Sequence, residues 1–171
     1  MVHNGIEYGM MQSIAEGFNL MKNGPYKGLN MQDITTIYQN GSVVTSRLVG
    51  WLADAFAKYG NDLRELSGAV GFTGEGAWTA EVARKFKLPI DVINDSVEFR
   101  KESQKKPSFA GKVLTGMRNQ FGGHSIEKVL LLTKPGSTSP STAQAVTTLP
   151  PGCRNSPSGM KSPSTKKLVS S

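Results

Sequence analysis

At 171 residues the chain has room for one domain with a core of ordinary size. Its formal charge of +7 is uneven: residues 1–128 carry +2 and the remaining +5 lies beyond Lys128, which argues against a global basic footprint for nucleic acid. The single cysteine, Cys153, excludes an internal disulfide or a thiolate metal cluster, and the longest apolar run, "VLLL" from Val129, is too short for a membrane span. The expected setting is reducing and cytoplasmic, with no nucleic acid and no membrane as partner.

Residues 5–22 read as one long helix, with Ile6, Met10, Ile14, Phe18 and Met21 at three- and four-residue steps and Gly24–Pro25 ending the run. Asn30 offers a cap for a short helix through Tyr38, and Ser42 one for a third helix. The third has a broad apolar face of Val44, Leu48, Trp51, Leu52, Ala55, Phe56 and Tyr59. Asp62 is expected to cap a short helix carrying Leu63, Leu66 and Val70. Thr79 then caps one running to about Lys87, where "LP" stops it. Helices are expected from Asp91 to about Ser103 and from Pro107, as first helical residue, to Arg118, with a last short one near Ser125. The body, residues 1–128, is expected to be all-α.

Residues 129–171 have another character. Six of the nine prolines fall there, with many Ser and Thr and no aromatic residue. Such a segment buries too little apolar surface to offset its chain entropy, so it reads as a low-complexity, disordered tail.

Four patterns carry possible chemistry. In "HNGIEY", helical spacing puts His3 with Glu7 and Asn4 with Tyr8 on one face. A carboxyl there is a candidate general acid, beside groups suited to a polyhydroxy substrate. The plainer reading is a polar helix start. "GFTGEGAWT" is a glycine-rich turn before a helix; without a preceding strand or a Lys-Ser/Thr ending it is no nucleotide loop, and Glu75 would repel a phosphate. Arg100 and Arg118, with His124 beyond, suit an anion or simply complement helix C-termini. The basic Ser-Pro tail could touch a polyanion, but plain disorder explains it as well. Two histidines and one tail cysteine make no metal site.

Taken in order, "MVHNGIEYGMMQ", "GEGAWT" and "RNQFGGH" resemble the C-terminal helical domain of decarboxylating 6-phosphogluconate dehydrogenase, most nearly its short-chain branch. "YQNGSVVTSRL" from Tyr38 fits a helix of that family as well. The resemblance covers residues 1–128. It implies oxidation of 6-phosphogluconate at C3 by NADP or NAD, then loss of carbon dioxide to give ribulose 5-phosphate, as in gluconate metabolism and the pentose phosphate pathway. It also implies roles: Glu7 as the acid that protonates C1 of the enediol, His3 and Asn4 on substrate hydroxyls and carboxylate, with Asn4 also near the nicotinamide. Tyr8 and Arg100 match phosphate ligands. Arg118 and His124 match residues reaching the neighbouring subunit's site, which implies a homodimer with a shared site and no metal.

The departures set further expectations. The family's lysine base would immediately precede the residue matched by Met1, and the Rossmann domain with its pyrophosphate turn would lie further upstream. Without both, the chain by itself is expected to be inactive; loss of the base alone costs on the order of a hundredfold to ten-thousandfold in rate. Met10, Met11 and Ile14 are then expected to be exposed. Thr73 and Glu75 stand where the long-chain branch has lysine and threonine, and Ala77 stands where a basic residue is expected. The alternative reading is a non-enzymatic dimerisation module.

Overall fold

The computed structural model describes residues 1–71 and 74–121. The tail from 129 on and the short helix expected near Ser125 lie outside the described residues.

Six helices make up the fold, and no strand segment occurs among the described residues: α1 (Val2–Asn23), α2 (Met31–Gln39), α3 (Arg47–Tyr59), α4 (Glu75–Lys85), α5 (Asp91–Ser103) and α6 (Phe109–Gln120). The all-α expectation holds. Helix α1 packs on α4, α5 and α6, while α3 packs on α2 and α6. The main core joins Met11, Ala15 and Phe18 of α1 to Leu52 and Phe56 of α3 and to Val113, Leu114 and Met117 of α6. Phe18 anchors it, with its ring centroid 5.6 Å from Phe56 and 6.1 Å from Tyr38.

The buried stripe of α1 is rotated by about one residue from the expected one. Tyr8, Met11, Ala15 and Phe18 are buried, whereas Ile6 and Met10 are half exposed at 53% and 46%. Glycines decide the rotation. A Cβ at Gly5 would lie 2.7 Å from the Thr79 side chain, and one at Gly9 would lie 3.2 Å from Val92. The glycine face is therefore the one other helices can approach most closely. Of the three residues expected to be exposed, Met10 is; Met11 is buried at 1%, and Ile14 packs partly buried against the core.

Other boundaries differ in instructive ways. Asn30 caps α2 as expected, its side chain accepting from the Gln32 N–H. The cap of α3 is Ser46, which accepts from Val49 N–H; Ser42 instead donates to the Tyr38 carbonyl and holds a turn. Gly74, with φ at 93°, begins α4, so Thr79 sits inside that helix rather than at its start. Ser108 caps α6, and Pro107 stands just before the cap.

The helix expected after Asp62 does not form. Asp62 pairs with Lys22 and Arg64, and Leu63 takes a left-handed φ of 46° to reach the core. The C-terminal end of α5 and the first turn of α6 pin the residues that follow. Ser103 accepts from the Val70 N–H at 2.9 Å, Gln104 donates to the Val70 carbonyl at 2.9 Å, and a Cβ at Gly111 would overlap the Gly68 carbonyl. These partners replace the bonds a helix would have supplied. Leu63, Leu66 and Val70 are still fully buried, as the apolar pattern required.

Candidate functional site

The first turns of α1 meet the first turns of α4, so "HNGIEY" and "GEGAWT" form one structure. Asn4 Nδ2 donates to Glu75 Oε2 at 2.7 Å. The Thr79 hydroxyl, one turn further along α4, reaches the Met1 carbonyl at 3.0 Å. A Cβ at Gly76 would fall 2.5 Å from the Tyr8 ring, so the missing side chain is what lets that ring lie against α4. Asn4 Oδ1 is 3.2 Å from His3 Nδ1, at the exposed edge of the same face.

Helices α5 and α6 bring two guanidinium groups to this face. Arg100 is 1% exposed, and its guanidinium carbon stands 3.3 Å from the Tyr8 ring centroid. Among the described residues no carboxylate forms a salt bridge with it, and its Nε and the Tyr8 hydroxyl have no hydrogen-bond partner. Burial pushes the Arg100 pKa down to about 10, with the Arg118 charge acting in the same direction and Tyr8 and Glu7 opposing it. Burial likewise lowers the Arg118 value, again against Tyr8 and Glu7. Both groups remain cationic at neutral pH, and they feel each other and Glu7. One buried and one half-buried guanidinium facing one half-buried carboxyl leave positive charge for an anionic ligand.

The structure thus gathers Glu7, Tyr8, Arg100 and Arg118 into one cluster with His3 and Asn4 at its rim. Arg118 approaches Glu7 and Tyr8 of its own chain, whereas the resemblance placed it in a neighbouring subunit's site. His124 lies outside the described residues. Three participants escaped the sequence reading: Glu75, read there only as repelling phosphate, together with Gly76 and Thr79. Each acts on a residue some seventy positions away, and only the tertiary contact reveals it.

The described residues contain no group of three or more His, Cys, Asp or Glu placed to hold a metal, and no helix among them is long and apolar enough to cross a membrane. Among the described residues there is no glycine-rich strand-to-helix turn of the kind that holds a dinucleotide pyrophosphate.

Residues 1–124 match the family model described as 6-phosphogluconate dehydrogenase, C-terminal domain. A provisionally named 6-phosphogluconate dehydrogenase of Bacillus subtilis is 40% identical over 128 residues, which is 75% of this chain and 42% of that protein. The NAD(+)-dependent, decarboxylating 6-phosphogluconate dehydrogenase of Haloferax volcanii is 32% identical over 128 residues, with the same two shares. The decarboxylating enzyme of Schizosaccharomyces pombe is 34% identical over 131 residues, covering 72% of this chain and 26% of its own length. The chain therefore spans at most about two fifths of the length of these relatives. The face built by α1, α4, α5 and α6 carries "HNGIEY", "GEGAWT" and Arg118, and the chain belongs to the 6-phosphogluconate dehydrogenase family, within its C-terminal domain.

Proposed function

We propose that this chain supplies the substrate-holding helical part of an oxidoreductase that decarboxylates 6-phosphogluconate to ribulose 5-phosphate. The observation that carries the reading is the pair of guanidiniums, buried Arg100 and half-buried Arg118, set beside Tyr8 and Glu7. A sugar phosphate needs a concentrated positive charge at one end and polar groups along its hydroxyls; α5 and α6 supply the charge through Arg100 and Arg118, and the first turns of α1 supply the polar groups. Arg100 and Tyr8 hold the phosphate with Arg118 beside them, and His3 and Asn4 hold the hydroxyls and carboxylate; His124, by resemblance to the family, belongs to the neighbouring subunit's site. NAD or NADP, bound mainly by another domain, would supply the oxidation at C3. The ketone so formed accepts the electrons released when carbon dioxide leaves, so that step needs no metal. Glu7, half-buried and facing the two arginines, then delivers a proton to C1 of the enediol. Cytoplasmic residence and a homodimer with a shared site belong to the same proposal, by resemblance to the family.

Calorimetric titration of the full chain with 6-phosphogluconate tests the reading. We expect binding, its loss in Arg118→Ala, and no turnover with NAD or NADP by the 171-residue chain alone. Absence of binding, or binding that Arg118→Ala leaves intact, would overturn it. A non-enzymatic pairing module is the second reading. An apolar groove of about 680 Å³ between α1, α2 and α3 favours it, lined by Ile14, Leu20, Ile37 and Val44 among others. Loss of helical signal on dilution, unchanged by substrate, would support that alternative.

A further inference from the structure

The contact between α1 and α4 has a consequence for the chemistry of His3. An amide side chain has one oxygen and one NH2 group, and it can turn only one of them to each neighbour. Asn4 commits its Nδ2 to Glu75 at 2.7 Å, so its Oδ1 is the atom that faces His3 Nδ1 at 3.2 Å. A carboxylate accepts and never donates, so Glu75 permits this orientation and no other. The oxygen of Asn4 can likewise only accept. A neutral imidazole completes the pair by carrying its proton on Nδ1, which leaves the lone pair on Nε2.

We infer that Glu75 is a positioning residue that works through Asn4 to hold His3 as the Nδ1–H tautomer, presenting Nε2 as a hydrogen-bond acceptor for a substrate hydroxyl. The identity of the substrate rests on the proposed function; the tautomer is a property of the chain alone. Glu75 is well placed for the task. It lies in the first turn of α4, where the helix dipole favours its charge, and Gly5, Gly76 and Thr79 fix the distance between the two helices. The arrangement divides the labour on a polyhydroxy acid phosphate: hydroxyl donors go to His3, and the phosphate oxygens go to Arg100 and Arg118.

The test is long-range ¹H–¹⁵N correlation spectroscopy of the full chain at about pH 8.5, above the ordinary imidazole pKa. The His3 resonances are identified by their loss in His3→Gln. We expect the Nδ1–H pattern in the parent chain and in Glu75→Gln, whose side-chain oxygen can still accept from Asn4. Glu75→Ala should revert to the Nε2–H form that free histidine prefers. Its 6-phosphogluconate affinity should fall about three- to tenfold, with Glu75→Gln unaffected. An Nε2–H pattern in the parent chain overturns the inference, and so does an unchanged pattern in Glu75→Ala. If the tautomer behaves as expected but 6-phosphogluconate does not bind, the failure belongs to the proposed function instead. Should Glu75→Ala fail to fold, the parent and Glu75→Gln spectra still decide the tautomer.

Discussion

The two halves of α1 solve opposite problems. Its N-terminal half uses Gly5, Gly9 and the facing Gly76 to bring α4 and α5 close, holding polar groups at set distances. Its C-terminal half buries bulk: Phe18 against Phe56 and Tyr38, flanked by Ile14 and Met21, with an open apolar groove of about 680 Å³ alongside. Hydrogen bonds and ring contacts lose their value over fractions of an ångström, so the polar half needs small residues and tight backbones. Apolar burial scales with area and tolerates a loose edge.

Mutations around each half of α1 should have separable effects. The largest expected effect on stability is Phe18→Ala, which removes a 2% exposed aromatic from the core. It should cost about 3–5 kcal/mol in urea unfolding. Below the unfolding transition 6-phosphogluconate affinity should stay as it was, and a parallel loss of affinity would show that the halves are not separable. Arg100→Met should do the reverse. The folded pKa of Arg100 lies below its ordinary value, so burying the charged form opposes folding at every pH below about 10. The opposition lifts only as pH rises through that value. An apolar replacement should therefore leave the midpoint at neutral pH unchanged or raised, while 6-phosphogluconate affinity falls about ten- to a hundredfold. A lower midpoint would mean that the stack on Tyr8 outweighs desolvation.

Gly76→Ala tests the close approach itself. The added methyl meets the Tyr8 ring, so stability should drop by about 1–3 kcal/mol and ligand affinity should fall with it. Unaltered affinity would show that the ring can move without disturbing Arg100. The smallest effect is expected at Asp62, where hydrogen bonds from Lys22 and then Arg64 lower the carboxyl pKa. That stabilisation is present above the ordinary carboxylate value and is lost as pH falls through the lower folded value. The pair is partly exposed, so Asp62→Asn should cost on the order of 0.5 kcal/mol at neutral pH and nothing once the carboxyl is protonated. An equal cost at both pH values would remove charge from the explanation.

The helices were legible where local chemistry was sufficient. Asn30 capped α2, and α5 runs over the expected span from Asp91 to Ser103. Legibility failed where distant partners competed. Asp62 was a plausible cap, yet Lys22 from forty residues earlier takes it, and the strap from Leu63 to Val70 answers to Ser103, Gln104 and Gly111. Thr79 looked like a helix start; instead its hydroxyl serves the Met1 carbonyl of α1. The site follows the same rule. Helical spacing put Glu7, Tyr8, His3 and Asn4 on one face, because i,i+3 and i,i+4 neighbours lie together whatever surrounds them, but a polar helix start explained them as well until the family resemblance gave them roles. Arg100 and Arg118 could be suspected from residue type, but not their burial.

By itself, then, the sequence determined an all-helical body, the residue set on the first turns of α1 and, through its motifs, the family. These follow from periodicity, caps and local spacing, which act within a few residues. Tertiary structure alone decided which face of α1 is buried, that Arg100 spends its charge on a tyrosine ring rather than a carboxylate, and that Glu75 orients Asn4. Those outcomes depend on how closely two helices can approach, and that distance is set by glycines and partners that lie far apart in the chain, such as Gly76 and Tyr8 or Asn4 and Glu75.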